Sequence, residues 1–176
     1  IQTRIKLPSS KSICNRALII NALSKGNAPI DNLSDCDDTR VMVQALQTIP
    51  ETIDIGAAGT AMRFLTAYLT VREGETHILT GTQRMKQRPI GILVNALRDL
   101  GADISYLENE GFPPLLIRGK ELTGSAISLP GNISSQYISA LLMIGPMLKN
   151  GLKITLETEV ISRPYIDMTL KPVSYT

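Results

Sequence analysis

Apolar residues along this chain switch between a helical period and a strand period, and the switches predict the order of elements. Over 11–24, Ile13, Ala17, Leu18, Ile20 and Leu23 recur at mostly three- and four-residue spacings, which predicts a helix ending near Lys25-Gly26. Ile30 to Ser34 reads as a short strand. Asp37 and Asp38 open a second helix through Val41, Val43, Ala45 and Leu46, stopped before Pro50. Ile53 to Ile55 reads as a strand, and Gly59-Thr60 begins a third helix running to about Leu69. After the strand Thr76 to Leu79, Arg88-Pro89 starts a fourth helix with the stripe Ile92, Leu93, Ala96, Leu97 and Leu100, closed by Gly101. Alternation then predicts strands at Ala102 to Tyr106, Leu115 to Arg118 and Ala126 to Leu129. Ser134-Ser135 opens a fifth helix, and Leu152 to Leu156 closes as a strand.

A degenerate repeat lies on this frame. Lys11-Ser12, followed four residues later by Ala17-Leu18, recurs as Ser134-Ser135 and Ala140-Leu141, each after a Leu-Pro strand end. Gly59-Thr60 heads its helix in the same manner, so one strand-to-helix module is used several times.

Composition narrows the class. The 176 residues are 43% hydrophobic and 19% charged with a net charge of +2, which fits one globular domain and excludes a disordered tail. Aromatics make up 4% with no Trp, so the core is aliphatic and layered α/β packing is favoured. Near-balanced charge offers no basic field of the kind nucleic-acid binding needs, and no apolar run approaches a membrane span. Cys14 and Cys36 form no disulfide or zinc pattern, which makes a reducing, cytoplasmic location the expectation. The chain begins at Ile1 without Met and stops shortly after a helix start, which suggests a fragment.

Candidate chemistry gathers at helix starts, where free N–H groups and a positive dipole end favour anions. In Pro8-Ser9-Ser10-Lys11-Ser12 the lysine opposes the dipole, and Ser12 and Arg16 share a face at i and i+4. Two readings stand: an anion grip, or capping serines beside a solvated lysine. Ala57 to Arg63 allows close backbone approach at Gly59, or simply tight packing. Arg84, Lys86 and Arg88 form an anion loop or a solvated basic turn. Ser134-Ser135-Gln136 and Ser162-Arg163-Pro164-Tyr165 supply donors for a phosphate or polyol, or an N-cap and a turn. Asp35, Asp37 and Asp38 are better explained by capping than by metal binding, and His77 as a structural residue.

In order, Pro8-Ser9-Ser10-Lys11-Ser12 with Asn15-Arg16-Ala17-Leu18, Asp37-Asp38-Thr39, Ala58-Gly59-Thr60-Ala61-Met62-Arg63, Arg84-Met85-Lys86-Gln87-Arg88-Pro89-Ile90-Gly91, Ser134-Ser135-Gln136 and Ser162-Arg163-Pro164-Tyr165-Ile166-Asp167 resemble the 3-phosphoshikimate 1-carboxyvinyltransferase (enolpyruvyl-shikimate-phosphate synthase) family. The match runs from Ile5 to about Leu170 and covers less than half of a complete member. It implies an α/β (α+β) fold, an inside-out α/β barrel domain of βαβαββ units with helices inward and sheets outward. On this basis residues 1–10 are a strand and crossover, 11–170 an incomplete first domain and 171–176 an irregular tail, with the second domain absent.

The resemblance further implies transfer of the enolpyruvyl group of phosphoenolpyruvate to the 5-hydroxyl of shikimate 3-phosphate, releasing phosphate, with no cofactor or metal. It implies that Lys11 bridges both substrates and is the catalytic residue of this half. Ser12, Arg16, Ser134, Ser135, Gln136, Ser162 and Tyr165 would hold shikimate 3-phosphate, and Gly59 and Arg88 phosphoenolpyruvate. The family's aspartate proton acceptor and further Lys, Glu, His and Arg groups come from the second domain and have no counterpart here, so the chain is expected to need that partner for turnover. Two departures stand out: the chain between Asp38 and Gly59 is short, and Ala57 replaces the family's common Asn. Lys11 followed by Ser12, together with Arg16 and a cysteine-free Arg84-to-Pro89 loop, favours this family over the related UDP-N-acetylglucosamine enolpyruvyl transferases. A non-catalytic anion-binding module or an inert truncated fragment is the alternative of a different class.

Overall fold

A computed structural model describes residues 8–24 and 29–174. The helices are α1 (Lys11–Leu23), α2 (Asp37–Thr48), α3 (Gly59–Thr70), a single turn α4 (Gln83–Lys86), α5 (Gly91–Asp99), α6 (Ser135–Ile144) and α7 (Arg163–Val173). The strands are β1 (Thr52–Asp54), β2 (Thr76–Thr80), β3 (Asp103–Tyr106), β4 (Leu115–Arg118), β5 (Ala126–Leu129) and β6 (Lys153–Leu156).

These elements assemble by one rule. β1 pairs in parallel with β2 across the α3 crossover, and β3 and β4 form an antiparallel hairpin that joins through β4 to β2. The sheet order is therefore β1-β2-β4-β3, and with α3 and α5 it makes one complete βαβαββ unit. Parallel β5 and β6, linked by α6 and followed by α7, repeat the first four elements of that unit. Every residue of α3 is buried, including Thr66 and Thr70, whose hydroxyls donate back to the carbonyls of Met62 and Ala67. Only a helix enclosed on all sides meets that condition. It packs against α1, α2, α5, α6 and the sheet, so helices form the interior and sheets the outside, as the inside-out expectation requires. Phe64, Leu65, Leu79, Leu93 and Leu141 anchor the aliphatic core.

Several expectations change. No strand forms at Ile30 to Ser34: Asn32 takes a positive φ of 55° and the Ser34 N–H donates to Cys14 Sγ instead of to a ladder. The fourth helix starts at Gly91 rather than Arg88-Pro89, because Ile90 keeps a non-helical backbone at φ −135° and its N–H donates to the Gly111 carbonyl. Ile92 of the predicted stripe is exposed. The basic stretch before it contains α4, capped by Thr82 Oγ1 accepting from the Met85 N–H. The tail expected from 171 is ordered helix through Val173, with the Ser174 N–H closing onto the Leu170 carbonyl. The strand expected within 1–10 and the helix end at Lys25-Gly26 lie largely outside the described residues. Gly101, at φ 101°, ends α5 as the sequence predicts.

Candidate functional site

The first turns of five helices meet at one end of the barrel. Ser10 caps α1, its Oγ accepting from the Ile13 N–H, so Lys11 opens the helix with its ammonium half exposed. That ammonium lies 3.8 Å from Asp38 Oδ2 in the first turn of α2. Asp38 Oδ1 accepts from the Thr60 N–H in the first turn of α3 at 3.1 Å. The Thr60 hydroxyl in turn accepts from Gln136 Nε2 at 3.3 Å, which brings in the first turn of α6. Arg16, one turn into α1, reaches the first turn of α7. Helix starts that touch in this way bring their positive dipole ends together, an arrangement that favours an anion.

The start of α3 is the closest approach. Ala58 provides no side-chain cap, and among the described residues Asp38 is the one side chain that reaches the amides of this first turn. A Cβ on Gly59 would fall onto the Arg88 guanidinium and within 2.8 Å of Arg63 Nη1. Glycine is thus required for two arginines to flank the helix start. Arg63 is 7% exposed, donates from Nη1 to the Gly59 carbonyl at 2.8 Å, and stacks over the Tyr137 ring, while its Nε is buried without a partner. Tyr137 donates from its hydroxyl to the Pro89 carbonyl at 2.8 Å and so ties the Arg88 segment to α6. Desolvation and then the Arg63 charge push the Arg88 pKa down, against smaller opposing effects of Tyr137 and Asp38. Two cations held together without a carboxylate between them favour an incoming anion. A cleft of about 380 Å³ bounded by Ala57, Thr82, Arg84, Met85 and Arg88 opens beside them.

Arg16 departs from its expected arrangement. Rather than pointing with Ser12 at a common ligand, its guanidinium turns inward and is 3% exposed. Nε donates to Thr169 Oγ1 at 2.6 Å, Nη1 to the Ser12 carbonyl at 2.9 Å, and Nη2 to Ser139 Oγ at 2.8 Å and the Tyr165 carbonyl at 3.3 Å. Phe64 packs against it, and burial lowers its pKa. Arg16 is therefore a tie between α1, α6 and α7 here. Ser134 caps α6 through Gln136 N–H, Ser135 begins that helix, and Ser162 precedes α7 without forming a side-chain cap. Tyr165 stands exposed on the first turn of α7.

Two residues gain importance. Asp38 was expected to cap its own helix, yet it links α1 to α3, and Asp37 instead pairs with Arg40. Arg63 was read only as the end of the Ala57-to-Arg63 segment. The signal for Arg63 was a lone charge in an otherwise uncharged helix; Asp38 stood out only within the Asp37-Asp38-Thr39 motif, and its pairing was hidden because its partners are 22 residues or more away. His77 is structural, bonded through Nδ1 to the Pro50 carbonyl and through Nε2 to Glu75. Among the described residues no cluster of His, Cys, Asp and Glu fit to hold a metal ion occurs.

Comparison with known proteins gives the same assignment along the whole chain. The family model for EPSP synthase (3-phosphoshikimate 1-carboxyvinyltransferase) matches residues 1–54 and 48–173. A 3-phosphoshikimate 1-carboxyvinyltransferase of Bacteroides fragilis is 68% identical over 171 residues, covering 97% of this chain and 42% of that protein. One from Sulfurovum is 45% identical over 196 aligned positions, covering 97% of this chain and 46% of its own length. The two family-model segments overlap at 48–54, over the end of α2 and β1. There Ile49 ends α2 in the left-handed region at φ 38°. The solved EPSP synthase of Acinetobacter baumannii superimposes with a TM-score of 0.79 at 21% identity, over 94% of this chain and 42% of that one. The chain thus spans less than half the length of these relatives. With this order of motifs, this unit architecture and a family match along nearly all of its length, the chain belongs to the EPSP synthase (3-phosphoshikimate 1-carboxyvinyltransferase) family.

Proposed function

We propose that this chain carries one half of an enolpyruvyl-transfer site, the half that holds shikimate 3-phosphate and the near side of phosphoenolpyruvate. The observation that supports this most is the meeting of helix starts with Lys11, Arg63 and Arg88 around Gly59. Both substrates are anions that repel each other. A fixed set of cations and amides offsets that repulsion and converts a bimolecular encounter into an oriented one. Lys11 serves both substrates in this reading, with Ser12, Ser134, Ser135, Gln136, Ser162 and Tyr165 assigned to the shikimate phosphate and Gly59 and Arg88 to phosphoenolpyruvate. In this reading Arg16 orients α6 and α7 beneath the shikimate face. Arg63 sets the Gly59 carbonyl and the position of Arg88.

The overall reaction is addition of the shikimate 5-hydroxyl to C2 of phosphoenolpyruvate as C3 takes up a proton and the hydroxyl gives one up, which forms a tetrahedral adduct, followed by loss of phosphate from C2 and of a proton from C3 to restore the double bond. The proton acceptor and the remaining phosphoenolpyruvate ligands belong to the second domain in the family and are not among these 176 residues. The half-site therefore binds without turning over. A cytoplasmic setting fits these metabolites, and no described helix is long and apolar enough to cross a membrane.

Calorimetric titration of the chain with shikimate 3-phosphate tests the reading. Saturable heat that disappears in Lys11→Ala is expected. Absence of heat in the parent chain would favour the inert-fragment alternative and overturn the half-site.

A further inference from the structure

The cations at this site face one another and also a single carboxylate. Asp38 is the side chain that reaches both Lys11 and the first-turn amides of α3, with its carboxylate one-fifth exposed. Its charge also extends to Arg88, whose positive form it favours. Both of its oxygens are thus directed at groups that would otherwise be free to receive a ligand anion: Oδ2 at the Lys11 ammonium, Oδ1 at the Thr60 N–H. A capping carboxylate would serve its own helix, but Asp38 spends its acceptors on two other helices.

We infer that Asp38 is an internal counter-anion, a positioning residue that holds Lys11 and the start of α3 in the ligand-free molecule and yields Lys11 to the ligand when an anion binds. The inference rests on the anion-site reading above. The geometry suits an exchange. The Lys11–Asp38 contact at 3.8 Å is longer than a direct hydrogen bond, so it supplies attraction with little directional restraint. The Thr60 contact is a formed hydrogen bond that keeps Asp38 in place once Lys11 leaves. While the carboxylate is present, it competes with a ligand for the same positive charge. Asp38 therefore trades affinity for a defined lysine position.

Asp38→Asn separates the two roles, because the amide oxygen still accepts from Thr60 while the competing charge is lost. Asp37→Asn is the control, since it makes the same change in net charge one residue away, on an exposed side chain paired with exposed Arg40. Inorganic phosphate is titrated into each chain at constant ionic strength and followed by amide NMR shifts at the start of α3. The expected result is about two- to fivefold tighter binding in Asp38→Asn, the range of one partly exposed ion pair, with Asp37→Asn matching the parent. Unchanged or weaker binding in Asp38→Asn, or an equal gain in Asp37→Asn, would overturn the counter-anion role. Saturable shifts in none of the chains would overturn the anion site itself, and the inference with it. Should Asp38→Asn fail to fold, the parent chain decides. Phosphate is expected to move the Asp38 carboxyl and Lys11 side-chain carbon resonances together, and an Asp38 signal that stays fixed while Lys11 moves rejects the exchange.

Discussion

Lys11 and Arg16 lie five residues apart on α1 and are both cations near the same site, yet their surroundings assign them opposite kinds of work. Lys11 is half exposed with one loose carboxylate partner, so truncating it removes little from the fold. Lys11→Ala should leave unfolding free energy within about 0.5 kcal/mol of the parent while abolishing ligand heat. Arg16 is enclosed, and its loss removes a charged donor from Thr169, Ser139 and two carbonyls and leaves a cavity between three helices. Arg16→Ala should cost about 2–4 kcal/mol, read by urea denaturation without ligand. A reversal of these two results would show that Arg16 is not the tie described. Gly59 offers a third residue-scale test. The added methyl of Gly59→Ala must displace Arg88, so phosphoenolpyruvate binding should weaken at least about tenfold while shikimate 3-phosphate binding stays near the parent value. Equal loss for both ligands would show a collapsed helix start instead.

Between α3 and β2 the chain turns through a clamp that belongs to the element scale. Arg72 donates to both Glu75 oxygens, and His77 bonds Glu75 from β2. Partial burial pushes the Glu75 carboxyl up, but the hydrogen bonds from Arg72 and His77 and their charges outweigh it and leave the pKa lowered. A carboxyl depressed in the folded state contributes stability above its unfolded pKa of about 4.3 and loses it as pH falls through the lower folded value. Melting temperatures of the parent and Glu75→Gln should therefore differ near neutral pH and converge once the pH has fallen below the depressed folded pKa of Glu75. A difference that persists at low pH would locate the effect in packing rather than in charge. The same scale shows what the sequence could reveal. Apolar spacing located α1, α2, α3, α5 and α6 and strands β1 to β6, because each buries one face or all of its faces in a single core. It failed where tertiary bonds decide. The Ile90 N–H is taken by Gly111 and the Pro89 carbonyl by Tyr137, so the proline that locally suits a helix start lies outside one. The Ser34 N–H taken by Cys14 removes a strand in the same way. Site residues were legible as motifs, but the pairing of Asp38 with Thr60 and the inward turn of Arg16 depend on distant partners that no local pattern encodes.

At the scale of the molecule, the arrangement is a complete βαβαββ unit flanked by parts of others, with helix starts turned to one end. Among the described residues that end gathers positive charge and amides, and the chain spans only 42% of its Bacteroides relative, so the proposed reading leaves the proton acceptor to the part of the family fold that this chain does not span. Binding and turnover should thus separate in this molecule. The direct test supplies the purified chain with phosphoenolpyruvate and shikimate 3-phosphate and measures released phosphate beside a binding titration on the same sample. Saturable shikimate 3-phosphate binding with phosphate release at background is the predicted result, and release above background by this chain alone would contradict the half-site account.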